Sequence, residues 1–309
     1  RGDEVTVLQR RPSGLADAGL REVLGDVADP AVAAAATAGQ EAIVHLAAKV
    51  NVTGAWADYE RANVAGTAGL LRAATRAGVA SMVFVSSPSV AHAGSSLVGE
   101  GAGPADPAAA RGNYARSKAM AERLALAADA RGDLRVVAVR PHLVWGPGDT
   151  QLVARIARRA RAGRLPVIGS GAPLVDTLYI DNAVDALVAA LDRCEEARGQ
   201  ALVLTNGEPR PIGEILTAWA RAAGAPGTSR HIPARLAIGA GSLVDAVTDV
   251  RLRLGHDLSA DPPITRFLAE QLSTAHWFDQ RRTREVLSWT PTVSIDEGLH
   301  RVAAYYRDR

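Results

Sequence analysis

Short apolar runs alternate with longer runs of helical periodicity through the first two thirds of the chain. Glu4 to Leu8 (EVTVL) predicts a strand, and Leu20 to Leu24, followed by Gly25-Asp26-Val27, predicts a second that ends in a turn. Ala42 to Leu46 (AIVHL), Met82 to Val85 (MVFV) and Leu134 to Val139 (LRVVAV) predict three more. The runs are short and β-branched, as parallel strands buried on both faces should be. Between them, Asp58 to Ala77 and Asn113 to Ala130 carry apolar residues near helical spacing. They stop at Gly78 and close to Gly132, where glycine ends a helix without steric cost. Strand–helix alternation implies an α/β fold, a doubly wound parallel sheet of the Rossmann type with helices on both faces.

After Gly146 the pattern changes. Gln151 to Ala162 is helical, Leu165 to Ile168 leads to a Gly-Ser-Gly turn, and DTLYIDN (Asp176 to Asn182) opens a helix that runs to Arg193. Ala201 to Leu204 (ALVL) returns one more strand to the main sheet. From Gly207 the chain is largely helical, with breaks at Pro226, Pro233, Pro262-Pro263 and Pro291. The expected organisation is a sheet domain over 1–146, to which 176–206 returns, and a smaller, mostly helical domain over 147–175 and 207–309.

Composition narrows the chemistry. A 48% hydrophobic chain of 309 residues can bury a large core. Lys plus Arg total 35 and Asp plus Glu 33, a net charge of +2 that gives no reason to expect a nucleic-acid surface. The arginines of the run from Arg155 to Arg164 suit a solvated helix face. The single cysteine, Cys194, excludes a disulfide within the chain and a metal site of paired cysteines. The seven histidines form no close pair at ligand spacing, so no metal is expected. No apolar stretch reaches the ~20 residues of a membrane span, and no signal-peptide pattern is present. A cytoplasmic location is expected.

The chemistry centres on Tyr114-Ala115-Arg116-Ser117-Lys118. On a helix, positions i and i+4 share a face. A lysine ammonium beside a phenol favours the phenolate, and a tyrosine so poised exchanges a proton with a carbonyl or an alcohol. On its own this spacing is ordinary. Its context is not: MVFV runs directly into Ser86-Ser87-Pro88-Ser89-Val90, and ligands bind beyond the carboxyl ends of strands in open α/β sheets. A hydroxyl there could hold a substrate oxygen. Ala47-Ala48 follows another strand end, where small side chains let a ligand approach the backbone. Asn63, inside a helix, is mildly unfavourable there and suggests a polar task. Arg140-Pro141 ends the fifth strand.

In order along nearly the whole chain stand GDVAD, HLAAKV, ANVAGT, VSSPSV, YARSK, RPHLVWGPGD and DTLYIDN. Together they resemble the extended short-chain dehydrogenases/reductases, the superfamily of sugar-nucleotide epimerases and 3β-hydroxysteroid dehydrogenases. The resemblance implies an NAD(P)-dependent oxidoreductase with Ser87, Tyr114 and Lys118 as catalytic triad. Ser86 and Ser89 are alternatives for the hydroxyl. Lys118 would also hold the nicotinamide ribose. Asp26 and Val27 would lie beside the adenine, Ala47, Ala48 and Lys49 along the cofactor, and Pro141, His142 and Leu143 over the nicotinamide. The sheet domain would bind the dinucleotide and the helical domain the substrate. The resemblance also implies a homodimer through the helices at 58–77 and 113–130, and leaves room for association with other enzymes of the same pathway.

The family opens with a strand and a glycine-rich phosphate loop. Neither precedes Glu4 to Leu8 here, and the expectation is that they precede Arg1 in the natural protein. Gln9-Arg10-Arg11 follows that strand with no acidic residue to take a ribose diol, while an arginine accommodates a 2′-phosphate. Arg10 therefore favours NADP(H), with NAD(H) the alternative.

Epimerases usually carry a tyrosine after the Ser-Ser turn and an arginine before DTLYIDN. Here Ala91 and Val175 stand there. RPHLVWGPGD, LVDTLYIDNAV, TNGEP and ITRFLAEQLSTAHWFD fit the 3β-hydroxysteroid dehydrogenase/isomerase branch better. Within it the likeness is nearest to the reductases of 2-alkyl-3-oxoalkanoic acids in bacterial olefin biosynthesis. The expected reaction is reduction of such a keto acid to the 3-hydroxy acid. The alternatives are a 3β-hydroxysteroid dehydrogenase, a sugar-nucleotide epimerase or dehydratase, and a non-enzymatic cofactor-binding regulator. A substrate carboxylate calls for a cation, with His142 and His276 as candidates. Leu236 to Leu254 suits a packing helix, an entrance for a hydrophobic substrate or a membrane-peripheral contact.

Overall fold

The computed structural model describes residues 2–51, 54–92, 94–130, 132–228, 230–253 and 264–308. Pro262, Pro263 and Leu254, named above, lie outside the described residues. The parallel strands are β1 (Thr6–Gln9), β2 (Arg21–Leu24), β3 (Ala42–His45), β4 (Ser81–Val85), β5 (Arg135–Pro141) and β6 (Ala201–Leu204). The last four form one sheet in the order β6-β5-β4-β3, every neighbour parallel.

The nine main helices used below are α1 (Pro30–Thr37), α2 (Gly66–Ala77), α3 (Gly112–Asp129), α4 (Val153–Arg161), α5 (Ile180–Asp192), α6 (Ile212–Ala222), α7 (Ala234–Arg253), α8 (Arg266–Ser273) and α9 (Ile295–Arg307). The period-2 geometry of a strand sends alternate side chains to opposite faces. Met82 and Phe84 of β4, with Val136 and Ala138 of β5, meet Leu70, Leu71 and Ala74 of α2 and Ala121 and Ala125 of α3. Val83, Val137 and Val139 point the other way, onto Ala183, Ala186 and Ala190 of α5. Both faces are buried, which is why these strands read as unbroken apolar runs.

The first two strands, β1 and β2, form a parallel pair of their own. Among the described residues no ladder hydrogen bond links this pair to β3. Helix α1 lies between them in sequence, with Asp29 capping its N-terminus by accepting from Ala31 N at 2.8 Å.

A second core gathers Trp145, Ile156 of α4, Tyr179, Ile215 and Trp219 of α6 and Val302 of α9. Beside it lies a small mixed sheet that the apolar pattern does not predict. Its order is Arg210–Pro211, Leu174–Val175, His276–Phe278, Leu97–Glu100. This sheet carries the segment after α8 across to the loop that follows the Ser-rich turn. Helix α7 packs on α8 and leaves Leu236, Leu243, Val247 and Val250 exposed along one stripe. No described helix is long and apolar enough to cross a membrane.

Candidate active site

The site is assembled at the carboxyl ends of β3, β4 and β5. The Ser86 amide extends the ladder beyond β4, donating to Val139 O at 2.7 Å. Ser87 then caps a short 3-10 turn, Pro88–Ala91. Its Oγ accepts from Ser89 N at 3.3 Å and lies 2.9 Å from Ser89 Oγ. Ser86 Oγ is buried and has no hydrogen-bond partner.

Helix α3 brings Tyr114 to this turn in its first full turn. The Ser87 side chain lies close enough to the phenol to pull its pKa down, against the effect of burial. Of the three serines the sequence left open, Ser87 is the one that does so. Lys118 stands one helical turn further on, 3% exposed. Its Nζ donates to Val85 O at 2.6 Å and sits 4.3 Å from the centre of the Phe84 ring.

The electrostatics differ from the expectation drawn from spacing. Burial raises the Tyr114 phenol above its ordinary value, and the Ser87 side chain only partly opposes this. The Lys118 ammonium rests on the Val85 carbonyl and the Phe84 face, and the phenol's shift is governed by burial. Burial in turn lowers Lys118 to about 8, against the upward pull of Glu122. Tyr114 is therefore a protonated phenol at neutral pH.

Asn63 has the polar task its awkward position suggested. It lies in a single π-helical segment, Glu60–Ala65, a form often found at functional sites. Its Oδ1 accepts from Lys49 N at 2.7 Å, and its Nδ2 donates to Lys49 O at 3.2 Å and Ser117 Oγ at 2.9 Å. Ser117 Oγ donates to Tyr114 O at 2.8 Å. One buried amide thus ties the loop after β3 to the helix that carries Tyr114 and Lys118.

The other sequence-selected residues lie around this centre. Ala47 is exposed and Ala48 half-buried after β3, with Leu46 61% exposed beside them. The Lys49 side chain turns away, 3.5 Å from Asp58 Oδ2 and 5.3 Å from the Tyr59 ring centre. Asp26 accepts from Ala28 N at 3.0 Å and pairs with Arg61 at 2.8 Å, and Val27 packs towards Gly66. Arg10 is exposed at the end of β1, in a turn where Gln9 and Ser13 both bond the Glu22 carboxylate. Pro141 ends β5, and Leu143 adopts φ +47°, a left-handed backbone that a side chain takes only where its surroundings enforce it.

A dinucleotide fits this edge. It offers small and apolar groups for a flat ring, a half-buried carboxylate at Asp26, and a buried Ser86 hydroxyl without a partner beyond the end of β4.

His142 and His276 are corrected as carboxylate partners. Burial lowers His142 to about 4 and His276 to about 3, so both are neutral near pH 7. His142 Nδ1 lies 2.8 Å from Asp176 O, and His276 Nε2 lies 2.7 Å from Thr274 Oγ1. Their rings are 6.0 Å apart, and that of His92 is 4.9 Å from His276. Sequence reasoning missed His92 and Asp176 altogether. Asp176 is buried, and desolvation pushes its carboxyl up to about 6. The signal that could have found it is a lone acid placed between two apolar segments, LV and TLYI.

A family model, NAD dependent epimerase/dehydratase family, matches residues 1–204. A 2-alkyl-3-oxoalkanoate reductase from Stenotrophomonas maltophilia is 40% identical over 293 residues, 93% of this chain and 86% of the relative. A 3beta-hydroxysteroid-dehydrogenase/decarboxylase isoform 2 from Arabidopsis thaliana is 30% identical over 303 residues, covering 94% of this chain and 53% of that protein. Among solved structures, a double mutant of the dTDP-glucose 4,6-dehydratase DesIV from Streptomyces venezuelae, with NAD and DAU bound, superposes with a TM-score of 0.74. It is 23% identical, over 100% of this chain and 88% of DesIV, and shares the fold. By sequence and by fold, this chain belongs to the NAD dependent epimerase/dehydratase family and is an NAD(P)-dependent oxidoreductase of the extended short-chain dehydrogenase type.

Proposed function

We propose that this oxidoreductase reduces 2-alkyl-3-oxoalkanoic acids to 3-hydroxy acids with NADPH, using Ser87, Tyr114 and Lys118. The observation that carries the chemistry is the Tyr114 phenol, on the helix that also carries Lys118 and kept protonated by burial. Reduction of a ketone needs a proton donor at its oxygen, and a phenol held above its ordinary value is in the donor form at neutral pH. Ser87 holds the same oxygen by its hydroxyl. Lys118, anchored on Val85 O, presents its charge from the floor of the site and holds the nicotinamide ribose. The substrate class rests on the Stenotrophomonas relative, whose name states that activity.

The bound dinucleotide would supply the hydride. Asp26 and Val27 would flank its adenine, Ala47, Ala48 and the Lys49 backbone would follow its length, and Pro141, His142 and Leu143 would cover the reactive end. The exposed Arg10, in a stretch Gln9-Arg10-Arg11 without an acidic residue, supports NADP(H) over NAD(H). In this reading 1–146 and 176–206 carry the cofactor, while 147–175 and 207–309 shape the substrate pocket. An open groove lined by Val64, Met120 and Leu124 is the surface for a second copy, and a monomeric mass in solution would remove that part.

The test is cofactor-linked turnover by the full-length protein. A long-chain 2-alkyl-3-hydroxy acid and a 3β-hydroxysteroid are each offered with NADP and with NAD. The hydroxy acid with NADP should turn over, and Tyr114→Phe should lose about 10²–10⁴-fold of the rate. Turnover of the steroid alone would reject the keto-acid reading. The Arabidopsis relative makes that the second candidate.

A further inference from the structure

Beneath the site lies a buried ion pair that the proton-transfer scheme does not use. Arg140, the penultimate residue of β5, and Glu122 of α3 are each 1% exposed. Arg140 Nε and Nη2 donate to Glu122 Oε2 and Oε1 at 2.9 and 2.5 Å, and Nη1 donates to Gly103 O at 2.7 Å. Glu122 stands four residues after Lys118, on the same face of α3 one turn deeper. Both side chains are buried. Arg140 thus holds both oxygens of a buried carboxylate that stands one helical turn from Lys118.

We propose that Glu122, clamped by Arg140, is a positioning residue that keeps the Lys118 ammonium charged inside the protein. The inference rests on the reading of Lys118 given above and deepens it. An isolated ammonium in a low-dielectric interior loses its proton readily. The groups around Lys118 otherwise give it little help. His45 of β3 is neutral and bound to Thr67 Oγ1 at 3.0 Å. From β4 come the Phe84 ring and the Val85 carbonyl. On α3 itself, Tyr114 is a protonated phenol. Arg140, across on β5, is a second positive charge whose guanidinium is spent on Glu122 and Gly103. Glu122 is the group whose charge raises Lys118. Arg140 fixes the rotamer of Glu122 and neutralises its excess, so the carboxylate need not capture Lys118 and draw it away from Val85.

The chain contains two lysines, Lys49 and Lys118. Lysine-selective ¹³Cε labelling of the full-length protein gives the lysine side-chain signals, and the one lost in Lys118→Arg is that of Lys118. Titration of the Lys118 signal reads the proposal without substrate, cofactor or turnover. In Glu122→Gln its midpoint should fall by about one pH unit or more, the usual effect of removing an adjacent opposite charge. Glu122→Asp should recover much of the shift. Since Glu122→Gln leaves the Arg140 charge unpaired, Glu122→Gln/Arg140→Gln provides a second variant with no net change in charge. Its Lys118 midpoint should also fall, because Glu122 stands one turn from Lys118 on the same helix face while the Arg140 guanidinium lies beyond that carboxylate.

An unchanged midpoint in either folded variant overturns the proposal and leaves a purely structural pair. The alkaline limb of kcat/KM with the hydroxy acid should move with the midpoint. A fall in the midpoint with an unmoved limb upholds the Glu122–Lys118 link and rejects the catalytic reading of Lys118, so the two failures are distinct.

Discussion

The Tyr114–Lys118 pair shows what a single spacing can and cannot specify. The i, i+4 relation of Tyr114 and Lys118 does put both on one face of α3. It does not say where a four-carbon side chain ends, and the Lys118 ammonium ends on Val85 O. Asn63 is the counter-example, since its unfavourable place in a helix announced its task. Its amide satisfies the Lys49 amide, the Lys49 carbonyl and Ser117 Oγ. Asn63→Leu is similar in volume and leaves all three unpaired. The expected loss is about 1–3 kcal/mol, the cost of a buried polar group left without its partner, read as a lower urea midpoint. An unchanged midpoint would mean that water replaces the amide there.

At the level of elements, periodicity located the strands of the sheet and the helices α2, α3 and α5 to within a residue or two, but not α1. It missed the small mixed sheet, because Leu97–Glu100 and His276–Phe278 are too short and too polar to carry a pattern. Their partners lie far away in sequence. The α7–α8 crossing is likewise invisible in the sequence. A Cβ on Gly241 would lie 2.5 Å from Arg266 N and 2.6 Å from Thr265 C, so the helices meet backbone to backbone. One turn further along α7, Asp245 Oδ2 accepts from Arg266 N at 3.0 Å. Gly239, on the same helix, has nothing within 4 Å of its Cβ position. Two substitutions of the same kind should therefore act in opposite directions. Gly241→Ala should destabilise by about 1–3 kcal/mol through overpacking, and Gly239→Ala should stabilise by about 0.5–1 kcal/mol through helix propensity. Thermal melts of both variants decide it, and equal shifts of one sign would reject the close crossing.

For the whole molecule, the buried titratable groups predict how stability responds to acid. His45, His142 and His276 have folded values near 3, 4 and 3, below their ordinary 6.5. Between these limits the unfolded chain binds more protons, so stability falls as pH drops below 6.5. Asp176 acts in the opposite sense. Its folded value near 6 lies above the ordinary 3.8, so its contribution is complete below 3.8 and is lost as pH rises through 6. Three histidines against one aspartate leave a net loss on acidification. Each uncompensated group contributes a slope of about 1.4 kcal/mol per pH unit. Chemical denaturation at pH 7 and pH 5 measures it, and equal or greater stability at pH 5 would show that these histidines are not buried neutral.

The sequence by itself determined the α/β class, the order of the sheet's strands and the family, and it placed Tyr114 and Lys118 one turn apart on a helix. These depend on local periodicity and on motifs of a few adjacent residues, which survive without knowledge of the fold. Only the tertiary structure decided that β1 and β2 pair with each other, and that burial raises the Tyr114 phenol. It also decided that His142 and His276 carry no charge, and that Arg140 and Glu122 meet beneath Lys118. Each of these depends on the distance and burial of residues far apart in the chain. Electrostatic energies vary with both, and neither is written in a linear spacing.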